Sequence, residues 1–337
     1  MPDDHLYIRA DMNSEISTGH VMRCLSIADA ASGMGAKAVF ICADDQPKEL
    51  IKSRGHECIV LGTVWNDMES ELPALEKVIS SEKIGRLLID HYSITEDYLR
   101  KVNELTDVVY LDDLNSFDYP VNAIVNYAVY GEDFYPDKDP AKKYYLGCRY
   151  APLRKAFEDP HPKKINEKID NILIMTGGSD PYGIAEGILG ALPLDEFGCV
   201  NVICGRFSGR KEKLEELFGD RKNVKIFPFV EKVWELYAEA DLVISAGGST
   251  LYELSSMGVP TISYSFVDNQ LTNVASFDEK GFIPCAGDVR KNDIYSEIIR
   301  LLDEMRPAEK RKSISGKLMN LVDGKGAERL ARILLDS

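Results

Sequence analysis

Short apolar runs alternate with helix-like stretches along most of the chain, and this alternation restricts the fold more than any other feature. The first set of runs covers residues 6–10, 38–42 (AVFIC), 57–61 (ECIVL), 86–90 (RLLID), 108–111 (VVYL) and, more weakly, 123–126 (AIVN). Residues 21–33, 47–53, 68–81 and 95–105 lie between them and have helical spacing or composition. Strand–helix alternation of this kind predicts βαβ units and a parallel sheet, because parallel neighbours need a long crossover. The pattern breaks at residues 158–170 (EDPHPKKINEKID), where two prolines and clustered charge read as a linker. It restarts at 171–175 (NILIM) and continues through 200–204, 224–227, 242–245 and 261–264. We therefore expect two α/β domains, 1–157 and 171–337, joined by 158–170, with ligand bound in the cleft between them. A chain of 337 residues suits that count. The helical tail, 309–335, closes the second domain or crosses back to the first.

Composition narrows the function. The formal net charge of −15 argues against nucleic-acid or anionic-membrane partners, though a small anion needs only local donors. Seven cysteines without a CxxC or metal-ligand spacing read as reduced core thiols of a cytoplasmic protein. No signal peptide, long apolar run or lipidation motif stands out. The sequence leaves the oligomeric state open.

Residues 8–23, IRADMNSEISTGHVMR, concentrate the chemistry of the first half. A buried strand leads into a polar loop, and Val21, Cys24, Leu25 and Ala28 then recur at helical spacing, with Thr18 as a candidate N-cap. His20 falls in the first turn of that helix, beside the carboxyl end of the first strand, where open α/β sheets bind ligands. An imidazole there can act as a general base, although a lone histidine at a helix start is more often an ordinary polar residue. Arg23, one turn on, could contact phosphate or bias His20 through its charge, and Asp11 could orient the ring. Asp90-His91-Tyr92 ends another strand with an acid, an imidazole and a phenol. Asp112 and Asp113 end the next, where paired acids could hold Mg²⁺, orient a base or cap a helix. His5, His56 and His161 receive no role.

In the second half, Thr176-Gly-Gly-Ser-Asp-Pro181 and Ser245-Ala-Gly-Gly-Ser-Thr250 have the composition of anion sites. Paired glycines let backbone N–H groups approach an oxygen, and a following helix adds free donors and partial positive charge. Neither loop is a Walker A or a GxGxxG motif, and either could simply turn a strand into a helix. Two in one domain favour a diphosphate. Glu253, one turn beyond Ser249 and Thr250, could accept both hydroxyls of a ribose or be an ordinary first-turn acid.

The ordered set of motifs resembles the nucleotide-sugar hydrolases of pseudaminic acid biosynthesis and the related spore-coat polysaccharide biosynthesis proteins. The residues that carry it are Arg9-Ala-Asp11 with Gly19-His20-Val-Met-Arg23-Cys24, Ile89-Asp90-His91-Tyr92, Leu111-Asp112-Asp113-Leu114, Asn126, Gly147 and Tyr150-Ala-Pro-Leu-Arg154. Gly177 to Pro181, Ala246 to Thr250 with Glu253, Gly258, Pro260 and Asn269-Gln270 continue it. The resemblance implies a GT-B architecture, two Rossmann-like domains whose parallel sheets face a cleft. It implies UDP held by the second domain at the Gly247 to Glu253 segment and His20 acting as general base on water at the anomeric carbon of a UDP-activated amino sugar. Under that implication His20, Asp11 and Tyr92 form the candidate catalytic set. Arg9, Gly19, Arg23, Asp90, His91, Gly177, Gly178, Ser179, Gly248, Ser249, Thr250, Glu253, Asn269 and Gln270 form the candidate binding set. No metal or other cofactor is expected. A glycosyltransferase with a UDP-sugar donor, a non-hydrolysing epimerase and a non-catalytic nucleotide-sugar-binding protein remain alternatives.

Overall fold

The computed structural model describes residues 5–336 except 14, 17, 161, 162, 206 and 207. His161 and part of the expected linker thus lie outside the described residues. The chain divides into unit 1, residues 1–155 with 324–337, and unit 2, residues 156–323.

Unit 1 runs β1 (His5–Ala10), α1 (Gly19–Gly33), β2 (Lys37–Cys42), α2 (Lys48–Ser53), β3 (Glu57–Val60), α3 (Met68–Glu82), β4 (Arg86–Asp90), α4 (Glu96–Leu105), β5 (Asp107–Leu111), β6 (Ala123–Asn126) and β7 (Lys143–Leu146). The strands form one sheet in the order β3-β2-β1-β4-β5-β6-β7, parallel throughout. Unit 2 runs β8 (Asn171–Met175), α5 (Ile184–Ala191), β9 (Cys199–Ile203), α6 (Lys211–Phe218), β10 (Val224–Phe227), α7 (Val233–Glu239), β11 (Leu242–Ala246) and α8 (Thr250–Ser256). It continues with β12 (Thr261–Ser265), α9 (Asp268–Glu279), β13 (Cys285–Asp288), α10 (Ile294–Met305) and α11 (Ala308–Leu321). Its sheet is also parallel, in the order β10-β9-β8-β11-β12-β13.

The two parallel sheets are those the alternation predicts. The strands β7 (KYYL) and β13 (CAGD) are not anticipated from sequence. Both lie at a sheet edge, where one neighbour suffices and the apolar signal is weak. Thr18 stands at the N-cap of α1 but makes no side-chain cap bond, because its backbone is already helical.

Side chains alternate across a strand, and this alternation positions the site. In unit 1, Tyr7, Val39, Ile41, Leu87 and Ile89 pack with Leu75 and Ile79 of α3 and Leu99 and Val102 of α4 in one core. Arg9 is on that same face by period two. Asp90 is on the other, toward α1.

The last helix, α12 (Gly326–Leu335), belongs to unit 1 and packs on α1. Arg86 at the start of β4 donates to the carbonyls of Ile333, at 2.8 Å, and Asp336, satisfying the free end of α12. The sequence groups this segment with the C-terminal domain but allows that it crosses back to the first, and its amphipathic pattern alone could not name the partner face. At the start of α12, a Cβ on Gly326 would lie 2.2 Å from the Ala151 carbonyl oxygen and 2.5 Å from its nitrogen. Both are backbone atoms that cannot rotate away. Gly326→Ala should therefore cost about 1–3 kcal/mol in urea unfolding, with α12 amides losing hydrogen-exchange protection ahead of the sheet.

Candidate functional site

Each sheet reverses its strand order once. In unit 1 the chain winds outward from β1 through β2 to β3, then returns to place β4 on the other side of β1. In unit 2 the same reversal separates β8 from β11. At such a switch point the flanking loops diverge and open a crevice at the carboxyl ends of the strands. His20 and Asp90 follow and end the two strands at the first switch point. The two glycine-pair loops flank the second.

In unit 1, His20, Arg23 and Cys24 share one face of α1 through i, i+3 and i+4 spacing, and all three converge on Asp90. His20 Nδ1 is 2.6 Å from Asp90 Oδ1. Arg23 donates to Asp90 through Nε at 2.7 Å and Nη2 at 2.5 Å, and Cys24 Sγ lies 3.4 Å from Oδ2. Asp90 is fully buried. Burial alone would raise its pKa, but Arg23 and His20 outweigh it and hold the carboxyl far below the usual carboxylate range. An ionised carboxylate can only accept, so the Nδ1 facing it carries the proton. Nε2, the nitrogen left to bind a proton, has no hydrogen bond among the described residues. Arg23 also donates through Nη1 to Asp113 at 2.7 Å and Tyr127 at 3.1 Å. Tyr92 donates its hydroxyl to Asp113 at 2.8 Å and sets its ring edge-on to His20, centroids 4.3 Å apart. Burial first, then Asp113, drives the Tyr92 pKa upward, so the phenol stays protonated.

Three sequence expectations are corrected here. Asp11 does not orient His20; Asp90 does. Asp11 accepts from Arg9 Nη1 at 2.6 Å and from the Ala43 amide at 2.8 Å. Arg23 is not free for phosphate, because its guanidinium is spent on two carboxylates and a phenol. Arg9 is likewise withdrawn from substrate binding. It is 0% exposed, and Glu71 of α3 grips it through two bonds of 2.9 and 2.5 Å while Tyr98 donates to Glu71 at 2.6 Å. Burial opposes the charge on Arg9, but Asp11 and Glu71 overcome it. Gly19 is exposed at the start of α1.

His91 sits between these two clusters. Its Nδ1 accepts from the Ser93 amide at 3.0 Å, which places the proton on Nε2. That atom is buried without a hydrogen bond, 3.5 Å from Asp11 Oδ2. Burial, then the charges of Arg9 and His20, push the His91 pKa down to about 3.

Asp112 proves to be an internal cap. Its carboxylate accepts from the amides of Leu114 and Asn115 and from the hydroxyls of Tyr119, at 2.7 Å, and Tyr135, at 2.5 Å. With Asp113 engaged by Arg23 and Tyr92, the pair does not form the Mg²⁺ site the sequence allows. Among the described residues no group of three His, Cys, Asp or Glu side chains could hold a metal.

In unit 2 the glycine loops differ. After β8, the buried Asp180 accepts from the amides of Ile184 at 2.7 Å and Ala185 at 3.1 Å. A carboxylate thus already occupies the start of α5, contrary to the free donors expected there. Gly177, Gly178 and Ser179 remain exposed ahead of it. After β11, α8 begins without a side-chain cap. The amides of Gly248, Ser249 and Thr250 have no acceptor among the described residues. Gly247 must be glycine, since a Cβ would lie 2.1 Å from Val274 Cγ1. Half-buried Glu253 accepts from Tyr237 at 3.1 Å. Asn269 is exposed in the first turn of α9, while Gln270 accepts from the Phe266 amide at 3.1 Å and acts as a cap.

Sequence reasoning missed Glu71, Tyr98 and Tyr127. Glu71 had a readable signal, an acid four residues before Leu75 and eight before Ile79 on the buried stripe of α3. The two tyrosines had none.

Two Rossmann-like units with parallel sheets of seven and six strands give the chain the GT-B fold. The whole chain superposes on the crystal structure of Acinetobacter baumannii MurG with a TM-score of 0.73, at 15% identity and with both chains covered completely. Residues 172–318, all within unit 2, match the Glycosyltransferase family 28 C-terminal domain. The chain is 26% identical to the spore coat polysaccharide biosynthesis protein SpsG of Bacillus subtilis over 98% of both proteins. It is 23% identical to the UDP-2,4-diacetamido-2,4,6-trideoxy-beta-L-altropyranose hydrolase of Campylobacter jejuni, over 81% of this chain and 96% of that one. No helix among the described residues is long and apolar enough to cross a membrane.

The depressed pKa of His91 makes a pH signature. Between its ordinary value of 6.5 and its folded value of about 3, the unfolded chain binds a proton that the folded chain refuses. This contribution is whole above pH 6.5 and drains away as the pH falls toward 3. Wild-type urea midpoints should fall as the pH is lowered from 6.5 to about 5.5, above the range where ordinary carboxylates titrate. In His91→Gln that slope should flatten.

Proposed function

We propose that this protein is a nucleotide-sugar hydrolase, releasing UDP from a UDP-activated 2,4-diacetamido-2,4,6-trideoxyhexose used in surface-glycan synthesis. The observation that carries the proposal is the buried His20–Asp90 pair with His20 Nε2 unbonded. Nε2 takes a proton from water as the water oxygen attacks the anomeric carbon. The carbon–oxygen bond to the diphosphate breaks, and UDP leaves with the electron pair. A positioned base contributes roughly 10²–10⁴-fold, so the remainder falls to electrostatics and positioning. Asp90 and Asp113 share a single guanidinium, which leaves one surplus negative charge beside His20. That charge favours the positive character that develops at an anomeric carbon as its bond breaks. The free amides of Gly248 to Thr250 stabilise the departing diphosphate, and Glu253 accepts from the ribose. Tyr92 uses its only O–H in the hydrogen bond to Asp113 and so offers lone pairs to a donor on the sugar. Asn269 is a second candidate for holding the sugar.

The hydrolase named among the relatives, matched over most of both chains, supports water as the acceptor. The match to the family 28 glycosyltransferase domain favours a second reading, transfer of the sugar to another acceptor. UDP release from a panel of UDP-2,4-diacetamido sugars without any acceptor separates the two, with ¹H NMR of the product to identify the sugar. Hydrolysis predicts turnover in water alone; transfer predicts UDP release only when an acceptor is added. His20→Ala and His20→Gln should abolish release while leaving UDP affinity nearly unchanged. Asp90→Asn should lower kcat by about 10²–10⁴-fold through loss of the ring's orientation. In calorimetry, Glu253→Ala should weaken UDP binding by about 10-fold or more, the loss of charge-assisted hydrogen bonds; an unchanged titration removes Glu253 from the nucleotide site.

A further inference from the structure

Two cysteines lie side by side, apart from the His20–Asp90 pair. Cys42 ends β2, and Cys58 lies in β3, the edge strand of the first sheet. In the parallel register Phe40 pairs with Cys58 and Cys42 with Val60. Residues two apart on a strand share a face, so both thiols project to the same side of the sheet. Their sulfurs are 3.7 Å apart. Cys42 is buried, whereas Cys58 is half-buried at the sheet margin. α2 packs on β3 and carries Lys48 and Lys52. The hydrogen bond with Cys42, joined by both lysines against the effect of burial, lowers the Cys58 pKa. The same hydrogen bond, together with burial, raises that of Cys42. Cys58, the more exposed thiol and the one on the strand that lysine-bearing α2 covers, is therefore the nucleophile, and buried Cys42 is the resolving partner.

We propose that Cys42 and Cys58 form a peroxide-responsive dithiol that closes to an intramolecular disulfide. The Cys58 thiolate attacks one oxygen of hydrogen peroxide; an S–O bond forms, the O–O bond breaks and hydroxide leaves, giving the sulfenic acid. The Cys42 sulfur then attacks the Cys58 sulfur. The S–O bond breaks, and the departing oxygen leaves as water with the proton from Cys42. Two thiols lose two electrons, and peroxide is reduced to two waters. The sulfurs must close from 3.7 Å to about 2.05 Å, a movement an edge strand with a single neighbour can make. Closure would be felt next door, because Ala43 donates to Asp11 and its carbonyl accepts from Gly62 and Thr63.

The test is to treat the full chain with hydrogen peroxide, quench with catalase and map thiols and cross-links by mass spectrometry without reduction. The free-thiol count should fall from seven by two. A single cross-link should join the peptides containing Cys42 and Cys58, and dithiothreitol should reverse it. In Cys58→Ser, Cys42 should stay reduced under the same dose. In Cys42→Ser, Cys58 should accumulate as a dimedone-trapped sulfenic acid that wild type resolves. Should Cys42→Ser fail to fold, the wild-type map and Cys58→Ser still decide. Wild-type Cys58 over-oxidising to sulfinic acid without a cross-link would overturn the proposal. So would both thiols surviving a dose that fully oxidises glutathione, or Cys42 bonding to another cysteine.

Discussion

One buried carboxylate, Asp90, organises the amino-terminal site. Stripping water from such a group costs several kcal/mol, and the cost is met by a guanidinium, an imidazole N–H and a thiol, all from one face of α1. The arrangement works in both directions. The charge on Asp90 fixes which ring nitrogen of His20 carries the proton, and the need to satisfy that charge fixes how α1 sits on β4. Helix register and imidazole tautomer are thus two readings of one hydrogen-bond network. Arg23 extends the network to Asp113 and so to Tyr92.

A second buried ion cluster lies on the opposite face of the same strands. Across the β1–β4 pairing Arg9 lies opposite Ile89 and Ala10 opposite Asp90, so Arg9 points toward α3 and meets Glu71 and Asp11, while Asp90 points toward α1. Buried pairs of this kind are weak contributors to net stability but costly to break on one side. Their effect is to hold β1, α3 and the loop after β2 in one register, which rigidifies the floor beneath the switch point. The two clusters have different exits. The Arg9 cluster is sealed; the Asp90 cluster ends at His20 Nε2 and at Tyr92, which is 37% exposed.

Much of the fold was legible because βαβ alternation is a strong local signal. Eleven of the thirteen strands among the described residues coincide with apolar runs, and the two that do not are short edge strands. The site was partly legible for a different reason. Position after a strand marks a residue as belonging to the carboxyl edge, so His20, Asp90, His91, Tyr92 and the glycine loops could be found. Partnership could not, because it depends on which face of a strand a side chain takes and on what comes to meet it. Arg9 and Asp11 are the clearest cases: both sit at the right edge, but Arg9 faces the α3 side, where Glu71 closes the account. Asp180 is another, a residue whose carboxylate fills the helix start that its neighbouring glycines seemed to keep open.

The return of α12 to unit 1 has a consequence for biosynthesis. Unit 2 is, in topological terms, inserted between β7 and α12, so every one of its residues leaves the ribosome before unit 1 is complete. Unit 2 can close as soon as it emerges, since domains fold as units during synthesis. The helix bearing His20 has no such option: one of its packing surfaces waits for α12, which is translated after all of unit 2. Unit 1 is begun before unit 2 and finished after it, and its reactive edge becomes fully braced only once α12 has emerged.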